Sequence, residues 1–375
     1  MRSIPASCNN NGLHRLAALQ PYLPVLTLWV AVFAVSSLVA RELGFARMRK
    51  YPLTILVLVV ALLSFPTAGL LLATRPYHRR IKAMIFRETS APILSAGCSF
   101  FPADNIWNRA VTDLPLDASS ERYVRSMGEN APLHPDFGAA SGIPYTVAAG
   151  TERETQVIFR EGALESDHGP YRIPDNAVIE PASDSHVLVV NSAECMLYEL
   201  FGGRRIGPQQ WSAGSGAIFN LRSNSLRPRG WTSADAAGLP IVPGLVRYEE
   251  VAAGHITHAL RFTVRQTRRA FVWPAAHFAS QSGDPNLPPM GQRFRLRRSV
   301  DLSGFSQEAR VILSALKEYG MMLSDNGGSW YISGAPDSRW PRDLSSQLSR
   351  IRGADFEAVD VSHLMVQPDS GQARP

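Results

Sequence analysis

Four carboxylates are candidates for acid–base chemistry. Glu199 shares the apolar face of a predicted strand, which either lines a cleft or belongs to a solvated edge. Asp325 lies in a turn before a predicted strand, where loop residues often meet ligands, although most such turns are only turns. Asp235 and Glu249 complete the set. Glycoside hydrolysis uses two such groups, one protonated and one ionised.

His258 is a fifth candidate, and its partner depends on the register of a predicted hairpin with strands at 245–251 and 255–263. A two-residue loop sets Glu249 opposite His258, whereas a three-residue loop ending in Gly sets Tyr248 there. His258 points to the apolar side of its strand. It is therefore either a core histidine with one hydrogen bond or an acid–base or metal-ligand partner that tunes a carboxylate.

Three loop-like stretches, at 104–108, 211–224 and 230–235, combine aromatic and polar groups. Sugars present apolar C–H faces and many hydroxyls, so Trp together with Asn, Asp and Arg suits carbohydrate binding. A core role for each Trp is the alternative. The predicted substrate-binding residues are Asn105, Trp107, Trp211, Arg222, Asn224, Trp231, His277 and Trp330.

Metal and nucleotide chemistry find little support. The histidines at 134, 168, 186, 255, 258 and 277 do not have the spacing of a zinc site. Calcium bound by loop carboxylates and carbonyls needs no linear motif, so it stays open. A phosphate-binding Gly-rich loop between a strand and a helix is missing from the sequence, and no nucleic-acid-binding module is recognisable. We therefore predict no cofactor, no nucleotide and no nucleic acid.

The elements that must position these side chains are mostly strands. Short apolar runs punctuated by Gly and Pro favour a β-sandwich or jelly-roll-like domain. A hairpin is predicted from 186–190 and 196–201, and a strand begins at Trp330. One packed helix is predicted over 307–323, with Ser306 as its N-cap.

The N-terminal region is apolar enough to cross a bilayer, since about 20 helical residues span its hydrocarbon core. A cleaved signal peptide, or a true start at Met48, is the alternative. The predicted organisation is a cytoplasmic or uncertain segment at 1–47 with a candidate transmembrane helix at 22–40, a transmembrane anchor or signal-anchor at 52–74, a linker at 75–97, a β-rich domain at 98–361 and a disordered tail at 362–375.

Charge and cysteines bear on location. Basic residues flank the second apolar run on both sides, so charge does not orient it. Cys98 and Cys195 form a candidate disulfide of the kind found in oxidising compartments, although two unrelated buried thiols are the alternative. The net charge of +6 comes almost wholly from Arg, which suits either a polyanionic partner or a GC-rich genome. We predict a membrane-tethered, extracytoplasmic domain.

Five motifs resemble a family of uncharacterised bacterial exported proteins. They are FPADNIWN at 101–108, LHPDFG at 133–138, GWTSADAAGLP at 230–240, GHITHALRF at 254–262 and DNGGSWYISG at 325–334. The resemblance implies an extracytoplasmic domain and supplies no activity and no catalytic residue.

The residues therefore predict a domain that binds, and in one version hydrolyses, cell-wall or environmental polysaccharide. Two alternatives stay open: a non-catalytic envelope module for binding or adhesion, and a lyase that acts on acidic polysaccharide with His258 or a Tyr as base. An enzyme requires acidic side chains to converge in one groove, whereas a binding module does not.

Overall fold

A computed structural model describes residues 98–375, which fold mainly as β-structure in three sheets with few helices. The predictions made for residues 1–97 (both apolar spans, the linker and the alternative start at Met48) lie outside the described residues. Across 98–375, no helix has the length and apolar character needed to cross a membrane.

Some helices and strands follow one another closely, whereas others are separated by long, largely irregular segments such as 221–247 and 265–292. The helices are α1 (Ser120–Met127), α2 (Tyr248–Ala253), α3 (Gln307–Glu318) and α4 (Leu344–Leu348). The strands are β1 (His134–Asp136), β2 (Thr146–Ala148), β3 (Gln156–Phe159), β4 (Val187–Asn191), β5 (Met196–Phe201), β6 (Arg204–Gly207), β7 (Gln210–Ala213), β8 (Ser215–Asn220), β9 (Leu260–Val264), β10 (Arg293–Leu296), β11 (Met321–Asn326), β12 (Tyr331–Ser333) and β13 (Phe356–Val359).

The largest sheet has six strands in the order β1-β12-β9-β11-β10-β13. A four-stranded sheet has the order β2-β4-β5-β8, and a three-stranded sheet has the order β3-β7-β6. Each sheet contains at least one parallel pair, such as β9 with β11, so all three are mixed. The sequence pattern of separate short strands did not predict this pairing.

The four-stranded sheet lies between two apolar clusters. Leu188 and Leu197 belong to the large core that also holds the buried face of the six-stranded sheet. Val189 and Leu200, on the other side, pack in a second cluster with Trp211 of the three-stranded sheet. Strands covered on both faces read as continuous apolar runs, and β4 is buried along its whole length.

Two predicted elements are confirmed, one of them with a shorter extent. Strands β4 and β5 pair antiparallel as the predicted hairpin. Ser306 caps α3, because its hydroxyl accepts from the Ala309 amide at 3.3 Å. The helix ends at Glu318, five residues before the predicted end. Gly320 has φ +67, and a Cβ there would lie 2.2 Å from the Phe294 carbonyl oxygen, so the chain turns and 321–326 continue as a strand.

The hairpin predicted from 245–251 and 255–263 is wrong. Residues Tyr248–Ala253 form helix α2 instead, and only the second half of the second segment is strand β9. Two acidic residues in the first turn suit the positive end of the helix dipole. Gly254, at φ +87, ends the helix in the left-handed conformation that glycine adopts readily.

The prediction of a disordered tail at 362–375 is also wrong, because these residues do not fray. Gln372 bridges to Asn105 and Ser370 to Ser225, so the end of the chain lies against the body. Their polar composition is compatible with this because the contacts are hydrogen bonds, such as those from the Gly371 amide to the Asn224 carbonyl and from Gln372 Nε2 to Asp104. The disulfide between Cys98 and Cys195 is present, with a Cα–Cα distance of 5.6 Å.

Candidate functional site

One face of the six-stranded sheet carries polar side chains at neighbouring positions. Arg261 and Thr263 on β9 alternate with core residues, and Ser333 and Tyr331 on β12 do the same. In the register, Thr263 lies opposite Tyr331, which lies opposite His134 on β1. Paired residues point to the same face of a sheet, so these side chains form one polar surface.

Asp325 joins this surface because of a β-bulge. Leu323 pairs with Phe262, and the next pair is Asp325 with Thr263, which leaves Ser324 as the extra residue. Without the bulge, Asp325 would share the core face of Leu323. The inserted residue therefore turns the carboxyl from the core to the polar face.

The centre of the site is a group of two aspartates and an arginine. The Arg261 guanidinium binds Asp235 through two hydrogen bonds, Nε to Oδ2 at 2.6 Å and Nη2 to Oδ1 at 2.7 Å. Its Nη1 donates to the Ser333 hydroxyl at 2.5 Å, and Asp325 Oδ2 lies 3.6 Å from Nη2. A two-point ion pair of this kind fixes both planes, so Arg261 holds Asp235 rigidly.

Asp325 is the proton-bearing member of the pair of aspartates. Burial raises its pKa most, and the negative charge of Asp235 raises it further. The positive charge of Arg261 opposes both effects, and the resulting pKa of Asp325 is about 8. Hydrogen bonding with the Asp235 side chain also raises the pKa of Asp325. About a quarter of the Asp325 side chain (24%) is still exposed, whereas that of Asp235 is not exposed. A protonated carboxyl thus faces solvent at neutral pH.

The loop that carries Asp235 is tied down by Ser233. The Ser233 hydroxyl accepts from the Asp235 amide at 2.9 Å and lies 2.6 Å from the Leu239 carbonyl oxygen, to which it donates. Gly238, at φ +71, would place a Cβ 2.5 Å from the Trp231 carbonyl oxygen. These contacts explain why a Ser-x-Asp-x-x-Gly segment can present a carboxylate from an irregular loop.

Beside the aspartates lies a buried Glu180–His186 pair. His186 Nδ1 is 2.6 Å from Glu180 Oε2, and Nε2 is 3.2 Å from the Ala234 carbonyl oxygen. Burial opposes the charged form, but the hydrogen bond and charge of Glu180 outweigh it and raise the pKa of His186. Both ring nitrogens face acceptors, so an imidazolium satisfies both. Through Ala234, His186 holds the residue next to Asp235.

Glu199 lies beneath this site with no exposure. Its carboxyl accepts hydrogen bonds from the amides of Ile241 and Val242 at 2.9 and 3.0 Å. Burial raises its pKa to about 7, with the backbone hydrogen bonds opposing the shift and the charge of Asp235 adding to it. Glu199 is on a strand face, as predicted, but it supports a loop from below and does not line either cavity of the site.

Two adjoining cavities open over the aspartates. The first encloses about 530 Å³ and the second about 370 Å³. Asp184, Asp325 and Asn326 line both, so they stand at the junction. Volumes of this order are typical of small-ligand sites. The first cavity is acidic, with Glu161, Glu165, Asp184, Asp235 and Asp325 in its walls and His277 as its one basic residue among those described.

The sequence-predicted catalytic residues fall into two groups. Asp235 and Asp325 come together, with Glu199 below them. Glu249 and His258 lie elsewhere, around α2. Both predicted registers are wrong there, because 248–253 are helical and His258 meets Glu250, with Nε2 and Oε2 3.2 Å apart, and not Glu249 or Tyr248.

The contacts around His258 are those of a structural cluster. Arg247 Nη2 lies 2.7 Å from His258 Nε2 and 2.6 Å from Glu250 Oε1, and His258 Nδ1 donates to its neighbour's carbonyl. Burial would raise the pKa of Glu250, but Arg247 and His258 outweigh it and hold it at about 2. Glu249 instead pairs with Arg339. This cluster lines neither of the two cavities over the aspartates.

Of the predicted sugar-binding residues, only His277 lines the acidic cavity. Its Nδ1 donates to the Ala236 carbonyl at 2.8 Å, which leaves Nε2 3.7 Å from Glu165. Trp107, Trp211 and Trp330 lie in the core, at 3%, 1% and 0% exposure. The remaining four also lie outside the two cavities. Asn105 is buried and donates a hydrogen bond to Asn224, and Arg222 is exposed. Trp231 is half-buried under the Arg227 guanidinium.

The site residues that sequence reasoning did not select are Arg261, Ser333, Glu180, His186 and Asp184. One signal was present in the sequence: Arg261 interrupts a strand of apolar residues, and a charge in a buried strand requires a partner. Glu180 and Asp184 lie in loops, where no periodicity marks them. Their selection required the three-dimensional arrangement.

The described residues, 98–375, contain no group of three or more His, Cys, Asp or Glu side chains arranged to hold a metal ion. No protein-family model matches the chain, and no curated protein or solved structure matches it either. A function for this chain therefore has to be argued from the geometry of the site.

Proposed function

We propose that this protein is a membrane-tethered, extracytoplasmic enzyme that hydrolyses glycosidic bonds of polysaccharide in the cleft above Asp235 and Asp325. The observation that carries the proposal is the placement of Asp325 beside the Asp235–Arg261 pair in a cleft lined by other carboxylates. Its pKa, raised to about 8, supports the proposal because a proton stays available at neutral pH. Glycoside hydrolysis requires a protonated acid to donate to the leaving oxygen.

The second carboxylate is assigned to another residue of the same cavities. Asp235 is occupied by Arg261 and has no exposed surface, so it acts by holding the proton on Asp325. Asp184 is exposed and lines both cavities, as Asp325 does. We assign Asp184 the role of activating water or attacking the sugar, with Glu165 as the second choice.

The charge of the cleft supports a neutral sugar at the point of cleavage. Five acidic residues line the first cavity, and a uronate there would meet like charges. A lyase needs a cation to neutralise the uronate, but the guanidinium of Arg261 is bound by Asp235 and Ser333. Hydrolysis is therefore favoured over elimination.

The placement of the tryptophans supports an enzyme over an adhesion module. A flat aromatic patch would need exposed rings, and Trp107, Trp211 and Trp330 are packed in the core. Convergent carboxyl groups with a raised pKa in a cleft are typical of catalytic sites. Binding of polysaccharide without any cleavage would favour the non-catalytic class.

The location and the finer fold belong to the same proposal. The Cys98–Cys195 disulfide supports an oxidising, extracytoplasmic compartment, and the apolar N-terminal runs support a membrane tether. For the arrangement of the domain, we propose a sandwich in which the four-stranded sheet is one layer and the six-stranded sheet the other. The shared core between Leu197 and Phe262 supports it.

The test is a panel of neutral polysaccharides and of polysaccharides that mix neutral and acidic sugars, assayed for reducing-end release with the full-length protein. We expect Asp325→Asn and Asp184→Asn to lower kcat by roughly a hundredfold or more, because each removes a general acid or base. We expect the wild-type rate to fall as pH rises above about 8, where Asp325 loses its proton.

Asp113→Asn is the matched control, because Asp113 is exposed and lines neither cavity. It should keep the wild-type rate. If no polymer in the panel releases reducing ends, or if Asp325→Asn is as active as wild type, hydrolysis at this cleft is excluded.

A further inference from the structure

A third cavity, which we call the arginine groove, opens at the other end of the polar face. It encloses about 820 Å³, and Gly328 lines both this groove and the second cavity over the aspartates. The segment 325–331 therefore runs from the acidic cleft to the groove. The groove is lined by Arg125, Arg265, Gln266, His134 and Tyr331, together with Ser126 and Ser329.

The charge of the groove is opposite to that of the cleft. Arg125 and Arg265 are exposed, and no Asp or Glu lines the groove among the residues described. Within residues 98–375, the Arg265 guanidinium has no hydrogen bond and no carboxylate partner, and Arg125 pairs only with Glu121 at 3.5 Å across exposed side chains. Such an exposed pair contributes little, so both guanidinium groups are available to an anion.

An aromatic pair forms part of the same groove. The rings of His134 and Tyr331 stack with centroids 4.0 Å apart and an interplanar angle of 26°. Neither the ring nitrogens of His134 nor the Tyr331 hydroxyl has a hydrogen-bond partner among the described residues. Aromatic carbon beside unused polar groups suits a sugar ring, which presents both C–H faces and hydroxyls.

The groove lies at a fixed spacing from the acid. Asp325 and Tyr331 both pair with Thr263, from opposite sides. Neighbouring strands are about 4.8 Å apart, so the Cα atoms of Asp325 and Tyr331 are about 10 Å apart. His134 is one strand further on. A ligand that reaches both the acid and the aromatic pair must therefore be longer than one sugar.

We propose that the arginine groove binds an acidic sugar residue of the same glycan chain that is cleaved at Asp325. The Arg125 and Arg265 guanidinium groups bind its carboxylate, and the His134–Tyr331 pair contacts its ring. The proposal rests on the proposed hydrolysis. The substrate class is then a polysaccharide in which the acidic sugars are separated from the glycosidic bond of the neutral sugar that is cleaved.

The test measures binding, so it does not depend on cleavage. The probes are an aldobiouronic acid, which is a uronic acid linked to one neutral sugar, and its methyl ester, in which a methyl group on the carboxyl removes the charge. We expect the full-length wild type to bind the acid about tenfold more tightly than the ester at low salt in a ligand-observed NMR titration. One charge-assisted hydrogen-bonded pair is sufficient for that ratio.

Arg125→Gln/Arg265→Gln should reduce the ratio to within about twofold, because the ester already lacks the charge these residues recognise. Arg310→Gln, an exposed arginine of α3 outside the groove, is the matched control and should keep the ratio. Tyr331→Ala should weaken acid and ester alike, whereas Tyr331→Phe should keep the stacking contribution. Thermal melting of each variant verifies its fold.

Equal affinity for acid and ester in wild type, no measurable binding of either, or an unchanged ratio in the double variant would overturn the groove proposal. Tight, charge-dependent binding without any reducing-end release from neutral or mixed polymers would leave the groove standing and overturn hydrolysis. The two failures are therefore distinguishable.

Discussion

Asp325 and Glu250 are both carboxyls in largely buried surroundings, but their pKa values are shifted in opposite directions because their neighbours differ. Asp325 has a pKa raised to about 8 by burial and the charge of Asp235, whereas Glu250 is held at about 2 by Arg247 and His258. Residue type alone does not separate an acid from a base. A charged partner at hydrogen-bonding distance decides the role.

Glu199→Gln should reduce the pH dependence of stability. The folded-state pKa of Glu199 is raised from 4.5 to about 7, so the folded protein holds a proton that the unfolded chain releases. The stability from this site is fully present below pH 4.5 and is lost as pH rises towards 7. The difference corresponds to about 3 kcal/mol at most in the free energy of unfolding.

Denaturant unfolding at pH 4.5 and pH 7.5 measures this effect. The fall in unfolding free energy between the two pH values should be smaller in Glu199→Gln than in wild type, because glutamine does not titrate. Glu121→Gln, at an exposed carboxylate, should behave as wild type. Equal falls in wild type and Glu199→Gln would show that Glu199 does not hold its proton at pH 5 to 7.

At the scale of elements, the local sequence pattern predicted a helix or strand correctly where only one kind of element fits that pattern. The apolar runs of β4 and β5 with the polar turn between them, and the cap of α3, were readable from adjacent residues. The segment 248–253 was not, because it carries both a strand-like alternation and a helix-forming run ended by Gly254. The packing of the completed helix decided between them.

Ser306→Ala should destabilise the domain by about 1 kcal/mol, since it removes the hydroxyl that accepts from the Ala309 amide at the start of α3. Denaturant unfolding at neutral pH measures it. Ser314→Ala, at an exposed position in the same helix, is the control and should be neutral or slightly stabilising. A loss in both variants, or in neither, would contradict the capping role of Ser306.

The candidate site was predictable only in part from the sequence, for a physical reason. The sequence marks Asp235 and Asp325 as polar residues beside apolar runs, but it does not bring them together. They meet because β11 lies beside β9, which carries Arg261, and because the bulge at Ser324 turns Asp325 to the polar face. The tryptophans were predicted to contact sugar because the stretches around them combine aromatic and polar residues. Burial, which composition does not report, places three of them in the core.

At the scale of the whole molecule, the disulfide joins two distant parts of the chain. Cys98 and Cys195 are separated by 97 residues, and closing so long a loop restricts the unfolded chain strongly. Cys98→Ser/Cys195→Ser should therefore lower the free energy of unfolding by about 3 to 5 kcal/mol.

Denaturation of the full-length protein with and without reductant measures the contribution of the disulfide. Reduced wild type should match the double variant, and Cys8→Ser, outside the described residues, should match oxidised wild type. Identical unfolding of wild type in both conditions would mean that the bond does not form.

The pairing of the chain's last residues with Asn105 brings the start and the end of the described segment close together. The Ile106 amide donates to the Gly371 carbonyl at 2.8 Å, and Gln372 bridges to Asn105, so the entry and the exit of the chain leave from one pole. A short peptide joining that pole would close the backbone into a ring. If new termini are then introduced at an exposed turn, the circularly permuted chain should form the same sheets and the same cleft.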